Sequence, residues 1–224
     1  MEKSRDETWE KIYRNQAWGK YPPEELIRFM ARYFYSAPDR KKIKILDFGC
    51  GTGASSWYLA REGFSLFGID GSRTAIEIAR ERFEKEGLTG EFKVGNFIKT
   101  SYTDDFFDCI VDVTSIQHNK YESIVKILEE IHRILKPGGK FFSKALNRDS
   151  YGYGLGEKLE ANTCRDIPSG PLAGRGLIHF FDEKELKELF DKSGLYLISL
   201  ELSERTLDNR TKKISHWIMD GSKS

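Results

Sequence analysis

Asp47-Phe48-Gly49-Cys50-Gly51-Thr52-Gly53 is the stretch of this sequence best suited to binding chemistry. It stands directly after an apolar run. Its glycines let the backbone turn sharply and approach a ligand where a side chain would collide. Asp70 ends the next apolar run, with Gly71 beside it, and a carboxylate there can accept both hydroxyl hydrogens of an adenosine ribose. Asp47 precedes the first glycine, where a carboxylate repels a pyrophosphate and suits an ammonium group such as that of a methionine moiety. Gly49, Gly51 and Ala54 also satisfy the G-x-G-x-x-A spacing of dinucleotide sites, so a nicotinamide-dependent oxidoreductase stands as an alternative. No phosphate-binding loop with its lysine occurs, which disfavours a nucleoside triphosphate. His118 follows the fourth apolar run and is the candidate general base, since imidazole titrates near working pH; bracing its own loop is the alternative role. His179 is a second choice, assigned to the substrate side, while His132 and His216 read as fold positions.

The elements that must position these residues follow a βαβ rhythm, the mark of a mainly parallel sheet. KIKILDF, FSLFGID, EFKVGNF and FFDCIVDVTSI read as the first four strands, and Lys140 to Ala145 as the fifth. Between them lie a short helix from Ser55 to Arg61 and a helix capped by Ser72 with Ala75, Ile76, Ala79 and Phe83 on one face. A longer helix with the stripe Ile124, Ile127, Leu128, Ile131 and Leu135 is expected to stop at Lys136-Pro137-Gly138-Gly139. Asp182 and Glu185 form a capping-box-like start for a helix carrying Leu186, Leu189 and Phe190. LYLISLEL and KKISHWIM close the chain as an antiparallel pair at one sheet edge.

Two parts stand outside this rhythm within what reads as one domain spanning residues 1–224. Residues 1–36 carry Trp9, Tyr13, Trp18 and Tyr21 and then a helix with Leu26, Met30 and Tyr33, a candidate helical lid. Trp18 or Tyr21 is expected against the sulfonium or the substrate, because ring faces attract cations; Trp9 is expected to pack a leading helix onto the sheet edge. Residues 147–178 are glycine-rich and aperiodic, and such a length between regular elements suggests a substrate cap. Within or beside that cap, Tyr151, Tyr153, Arg165 and Arg175 are candidate contacts to a polar or anionic acceptor.

The ordered set ILDFGCGTG, the acid of FGID, KVGN, FDCIVDVTSIQH and ILKPGGKFF resembles the motifs of class I S-adenosylmethionine-dependent methyltransferases. The resemblance covers roughly residues 42–142 and continues through the C-terminal strands. It implies an α/β fold: a Rossmann-like seven-stranded mixed sheet, the last strand antiparallel, with helices on both faces. It implies S-adenosyl-L-methionine as cofactor, with Asp47, Gly49, Cys50, Gly51 and Gly53 around the methionine part and Asp70 and Gly71 at the ribose. Asn96 and Phe97 would meet the adenine, and Asp112, Val113 and Thr114 would line the cleft near the sulfonium. The family usually has aspartate where Asn96 stands, though an amide oxygen can still accept from the adenine amino group.

Composition narrows the acceptor. The 36 basic and 35 acidic side chains leave a formal charge of +1, without the basic excess of proteins that grip nucleic acid. An NPPY-like motif is missing after the fourth strand, where DVTS stands instead. A small-molecule acceptor is the expectation, with RNA or protein methylation the alternative and a non-catalytic cofactor-binding module a further one. Cys50, Cys109 and Cys164 make neither a disulfide framework nor a metal cluster. No stretch has the length to span a membrane, and a cytoplasmic monomer or homodimer is expected.

Overall fold

A computed structural model describes residues 7–224. Its main sheet has seven strands in the order β3-β2-β1-β4-β5-β10-β9. β1 (Lys44–Phe48) pairs in parallel with β2 (Ser65–Asp70) on one side and with β4 (Phe107–Val113) on the other. β3 (Glu91–Val94) extends the sheet beyond β2, and β5 (Leu135–Leu146) lies beside β4. The C-terminal hairpin, β9 (Leu195–Leu207) and β10 (Lys212–Lys223), inserts β10 antiparallel next to β5 and leaves β9 at the edge. The strand order reverses between β1 and β4, and a crevice forms there at the strands' carboxyl ends.

Helices cover both faces, so the central parallel strands are continuous apolar runs; Ile45, Leu46 and Phe48 of β1 are fully buried. On one face lie α2 (Glu24–Phe34), α3 (Ala54–Arg61) and α4 (Arg73–Lys85), bringing Leu26, Phe29, Leu59, Ile76, Ala79 and Phe83 to one cluster. On the other lie α5 (Tyr121–Ile134) and α6 (Glu183–Ser193), with Ile124, Ile127, Leu128, Leu186, Leu189 and Phe190. Both expected caps form. Ser72 Oγ accepts from Ala75 N at 3.1 Å and Asp182 Oδ1 from Glu185 N at 2.8 Å, each worth about 1 kcal/mol. A further helix, α1 (Glu7–Asn15), lies against α4 at the carboxyl end of the sheet.

Three expectations need correction. Lys136-Pro137-Gly138-Gly139 does not separate helix from strand: α5 ends at Ile134 and β5 begins at once. Phe107 pairs with Leu135 while Cys109 pairs with Lys140, so the intervening residues bulge out, with Gly138 at φ +76°. The third strand stops at Val94, which leaves Asn96 and Phe97 in the following loop. The stretch 147–178 is not irregular throughout. It contains β6 (Glu157–Glu160), β7 (Thr163–Arg165) and the start of β8 (Leu177–His179), an antiparallel three-stranded sheet. Its apolar side joins Cys164, Ile167, Ile178 and Phe180 with Leu146 and Ile214 of the main sheet.

Candidate cofactor and substrate site

A cavity of about 520 Å³ opens where the strand order reverses. Its sheet-side wall is Asp47, Gly49, Cys50 and Gly51 from the end of β1 and its loop, with Asp70 and Gly71 from the end of β2. Gly49 and Gly51 have φ of +76° and +51°, the left-handed region that favours glycine. A Cβ at Gly49 would run into the Ser115 side chain, and one at Gly51 would stand 2.7 Å from Tyr13 Oη. Gly53 is set back from the cavity: it caps α3, and a Cβ there would press on Ala79.

Two buried carboxylates face this cavity. Asp47 accepts from the Ser56 hydroxyl at 2.6 Å. Burial pushes its pKa up to about 7, with Asp70 and Asp112 adding to the rise and Ser56 opposing it. Asp70 accepts from Gly51 N at 2.9 Å and Ser72 N at 2.8 Å. Burial raises its pKa too, against those backbone bonds. A carboxylate has about four acceptor positions, so each keeps capacity for a ligand's donors. Asp112 differs. It is fully buried off the cavity wall and accepts from Ser115 N at 3.0 Å, Ile116 N at 3.1 Å and Ser143 Oγ at 2.7 Å, besides the Ser115 hydroxyl. The expected cleft-lining aspartate is thus spent on holding the loop after β4.

That loop supplies the next part of the wall, with Val113, Thr114, Ser115, His118 and Asn119 on the cavity. Thr114 sits at φ +62°, costly for a β-branched residue by about 1–3 kcal/mol, and its N–H donates to Lys144 O at 2.9 Å. His118 Nδ1 lies 2.8 Å from Leu177 O. A carbonyl only accepts, so Nδ1 carries a proton, and in the neutral ring Nε2 is the acceptor nitrogen, with Gln117 Nε2 at 3.4 Å. Phe97 also lines the cavity, tilted against Phe48 at 4.7 Å between centroids. Asn96 does not. Its amide oxygen accepts from Ile98 N at 2.9 Å.

The opposite wall is made of rings. Trp9 and Tyr13 lie one helical turn apart on α1 and line the cavity together with Trp18 and Tyr21. Trp9 packs against Trp18 at 5.6 Å and against His118 at 4.7 Å, so its place is over the cavity and not at the sheet edge. Tyr21 is the outermost ring, 74% exposed and resting edge-on against Trp57. Glu10 ties α1 down: it accepts from the Ser72 and Thr74 hydroxyls at 2.5 and 2.6 Å. Burial alone would raise its pKa, but those bonds and Arg14 hold it at about 2. Sequence reasoning missed Glu10 and gave Tyr13 no role. The four-residue spacing of Trp9 and Tyr13 was the available signal.

The other substrate-side candidates lie elsewhere. His179 is fully buried between the Thr163 hydroxyl at 2.7 Å and Glu185 Oε2 at 3.1 Å, which fixes the small sheet to α6 and keeps the ring from any ligand. Tyr151 bonds Ser169 and Tyr153 bonds Asn162, both away from the cavity wall, and Arg165 is exposed on β7. Arg175 alone reaches the ring wall, its guanidinium 4.7 Å from the Trp18 centroid. Among the described residues, no group of three His, Cys, Asp or Glu side chains is arranged to hold a metal. All three cysteines are buried and free, and among the described residues no helix is long and apolar enough to cross a membrane.

A glycine cradle beside two buried carboxylates with acceptor capacity to spare fits S-adenosylmethionine, which carries an ammonium and a diol, and repels a pyrophosphate. Fold and site are of the kind found in class I S-adenosylmethionine-dependent methyltransferases. Residues 45–139 match the methyltransferase domain family. Methyltransferase GfsG of Streptomyces halstedii is 30% identical over 73% of this chain, and a ubiquinone biosynthesis O-methyltransferase of Brucella anthropi is 27% identical over 70%. The chain spans 56% and 61% of those two proteins' lengths. A solved S-adenosylmethionine-dependent methyltransferase from Methanosarcina mazei superposes with a TM-score of 0.72 at 26% identity, covering 86% of this chain and 96% of that one.

Proposed function

We propose that the protein transfers the methyl group of S-adenosylmethionine to a small-molecule acceptor. The observation that carries this reading is the pair of buried carboxylates, Asp47 and Asp70, facing one cavity across a glycine loop too tight for side chains. Asp47 holds the ammonium and regains its charge in doing so. Asp70 accepts from the ribose hydroxyls, and Phe97 closes the adenine end. Bound there, the cofactor supplies an electrophilic methyl on a good leaving group, so catalysis needs chiefly orientation and exclusion of water.

The ring wall meets the second need. Trp9, Tyr13 and Trp18 shut water from the methyl side, which makes α1 and the residues after it a lid, while residues 147–178 cap the acceptor. His118 Nε2 is held as an acceptor nitrogen beside that space and takes the proton of a hydroxyl acceptor. The Brucella relative, an O-methyltransferase by name, favours such an acceptor. We place this activity in the cytoplasm, where free thiols stay reduced. The test is incubation with methyl-labelled S-adenosylmethionine and, in parallel, a panel of phenols and hydroxy acids, bulk RNA and bulk protein. Label in the small-molecule fraction supports the reading; label confined to RNA or protein overturns the acceptor class.

A further inference from the structure

Arg175 stands apart from the chain's other partly buried arginines. Arg40 pairs with Glu62, Arg133 with Glu130 and Arg82 approaches Glu86. Arg175 pairs with no carboxylate among the described residues. Its guanidinium lies 4.7 Å from the Trp18 centroid and 5.9 Å from that of Trp9, and both rings form the cavity wall. Burial lowers its pKa, opposed only by the neighbouring Tyr13. A partly buried group that cannot give up its charge thus lacks a carboxylate partner among the described residues.

The backbone around it says which ligand it serves. Two residues on, the Leu177 carbonyl accepts from His118 Nδ1 at 2.8 Å, and the His118 ring packs on Trp9 at 4.7 Å. Arg175, Trp9 and His118 thus form one cluster, anchored to the loop after β4. This cluster stands behind the ring wall, while the loops after β1 and β2 supply the carboxylates of the sheet-side wall. A guanidinium presents its N–H donors as a planar fork, the geometry that takes a carboxylate bidentately.

We propose that Arg175 is a specificity-determining residue that binds a carboxylate on the methyl acceptor, so that the preferred substrates are small organic acids. The proposal rests on the methyl-transfer reading above. Its test follows the indole resonances of Trp9 and Trp18 by NMR while benzoate, or separately inorganic phosphate, is titrated into the S-adenosylhomocysteine-saturated protein. The expected result is a saturable shift with benzoate. Arg175→Gln should raise the benzoate Kd at least about tenfold, with the S-adenosylhomocysteine Kd changed less than about twofold. Arg175→Lys, which keeps the charge and the fold but loses the fork, should fall between. No saturable shift in the wild type, an unchanged benzoate Kd in Arg175→Gln, or saturation by phosphate alone each overturns the assignment. So does a parallel loss of S-adenosylhomocysteine affinity, which would put Arg175 on the cofactor. If the wild type binds no S-adenosylhomocysteine, the methyl-transfer reading fails separately, and the benzoate arm on the free protein still decides whether Arg175 takes a carboxylate.

Discussion

The two walls of the cavity are built on different principles. The sheet-side wall is backbone and carboxylate, fixed by parallel pairing of β1 with β2 and β4 and by glycines at positive φ. The ring wall is side chains on α1 and the segment after it, held to α4 through Glu10 and stacked on one another. The first is preorganised, since moving it means breaking the sheet. The second rests on a few hydrogen bonds and ring contacts, and on the proposed reading it is the half that opens. A binding site needs both: a rigid half to define the ligand, and a movable half to admit it and then exclude water.

Substitutions should separate the halves, with the largest losses on the rigid side. On the proposed reading Asp70→Ala removes the acceptor for two ribose hydroxyls, and cofactor affinity measured by calorimetry should fall roughly 100-fold. Asp47→Asn should cost about tenfold or more at pH 8 and flatten the pH dependence. The sign follows from the raised value. In the cofactor-free protein Asp47 titrates at about 7, so its contribution to stability is full below the usual carboxylate range and is lost as pH rises through 7. Ammonium binding needs the ionised form. Wild-type affinity should therefore climb between pH 6 and 8, with proton release in that window, and an unchanged pH profile in Asp47→Asn would remove Asp47 from this role.

On the movable side the effects should be smaller and fall on turnover. Trp18→Ala should lower kcat/KM for the acceptor about tenfold while shifting cofactor affinity only slightly. Equal losses in both would mean that the ring contacts the cofactor alone. Glu10→Gln weakens the hydrogen bonds to Ser72 and Thr74 without emptying the space. Cofactor release, followed by stopped flow, should quicken about threefold, the effect of losing roughly 0.6 kcal/mol from a partly exposed contact. An unchanged release rate would separate α1 from cofactor exchange.

The same division governs what the sequence reveals. β1, β2 and β4 are buried on both faces and read as apolar runs, and the glycines after β1 are demanded by backbone geometry, so both features are local and visible. Asp112 carries the same local signal as Asp47, an acid on a buried strand. What distinguishes them is the supply of donors: Asp112 is saturated by Ser115 and Ser143, which only the packing of β4 beside β5 brings together. Glu10 meets Ser72 across 62 residues of chain, and nothing local marks it. Strands β6 and β7, of four and three residues, are too short to show a period. The bulge at residues 136–139 presents the glycines and proline of a helix stop, although the chain there is already turning into a strand.

The central claim is that the carboxylate-lined half of the cavity is a site for S-adenosylmethionine. Calorimetric titration of the protein with S-adenosylmethionine, S-adenosylhomocysteine, NADH and NADPH, repeated on Asp70→Ala, tests it directly. Binding of the first two, weakened by the substitution, and no heat from the dinucleotides are the expected results. Binding of a nicotinamide cofactor with none of S-adenosylmethionine would contradict it, because a pyrophosphate would then sit against the carboxylate of Asp47.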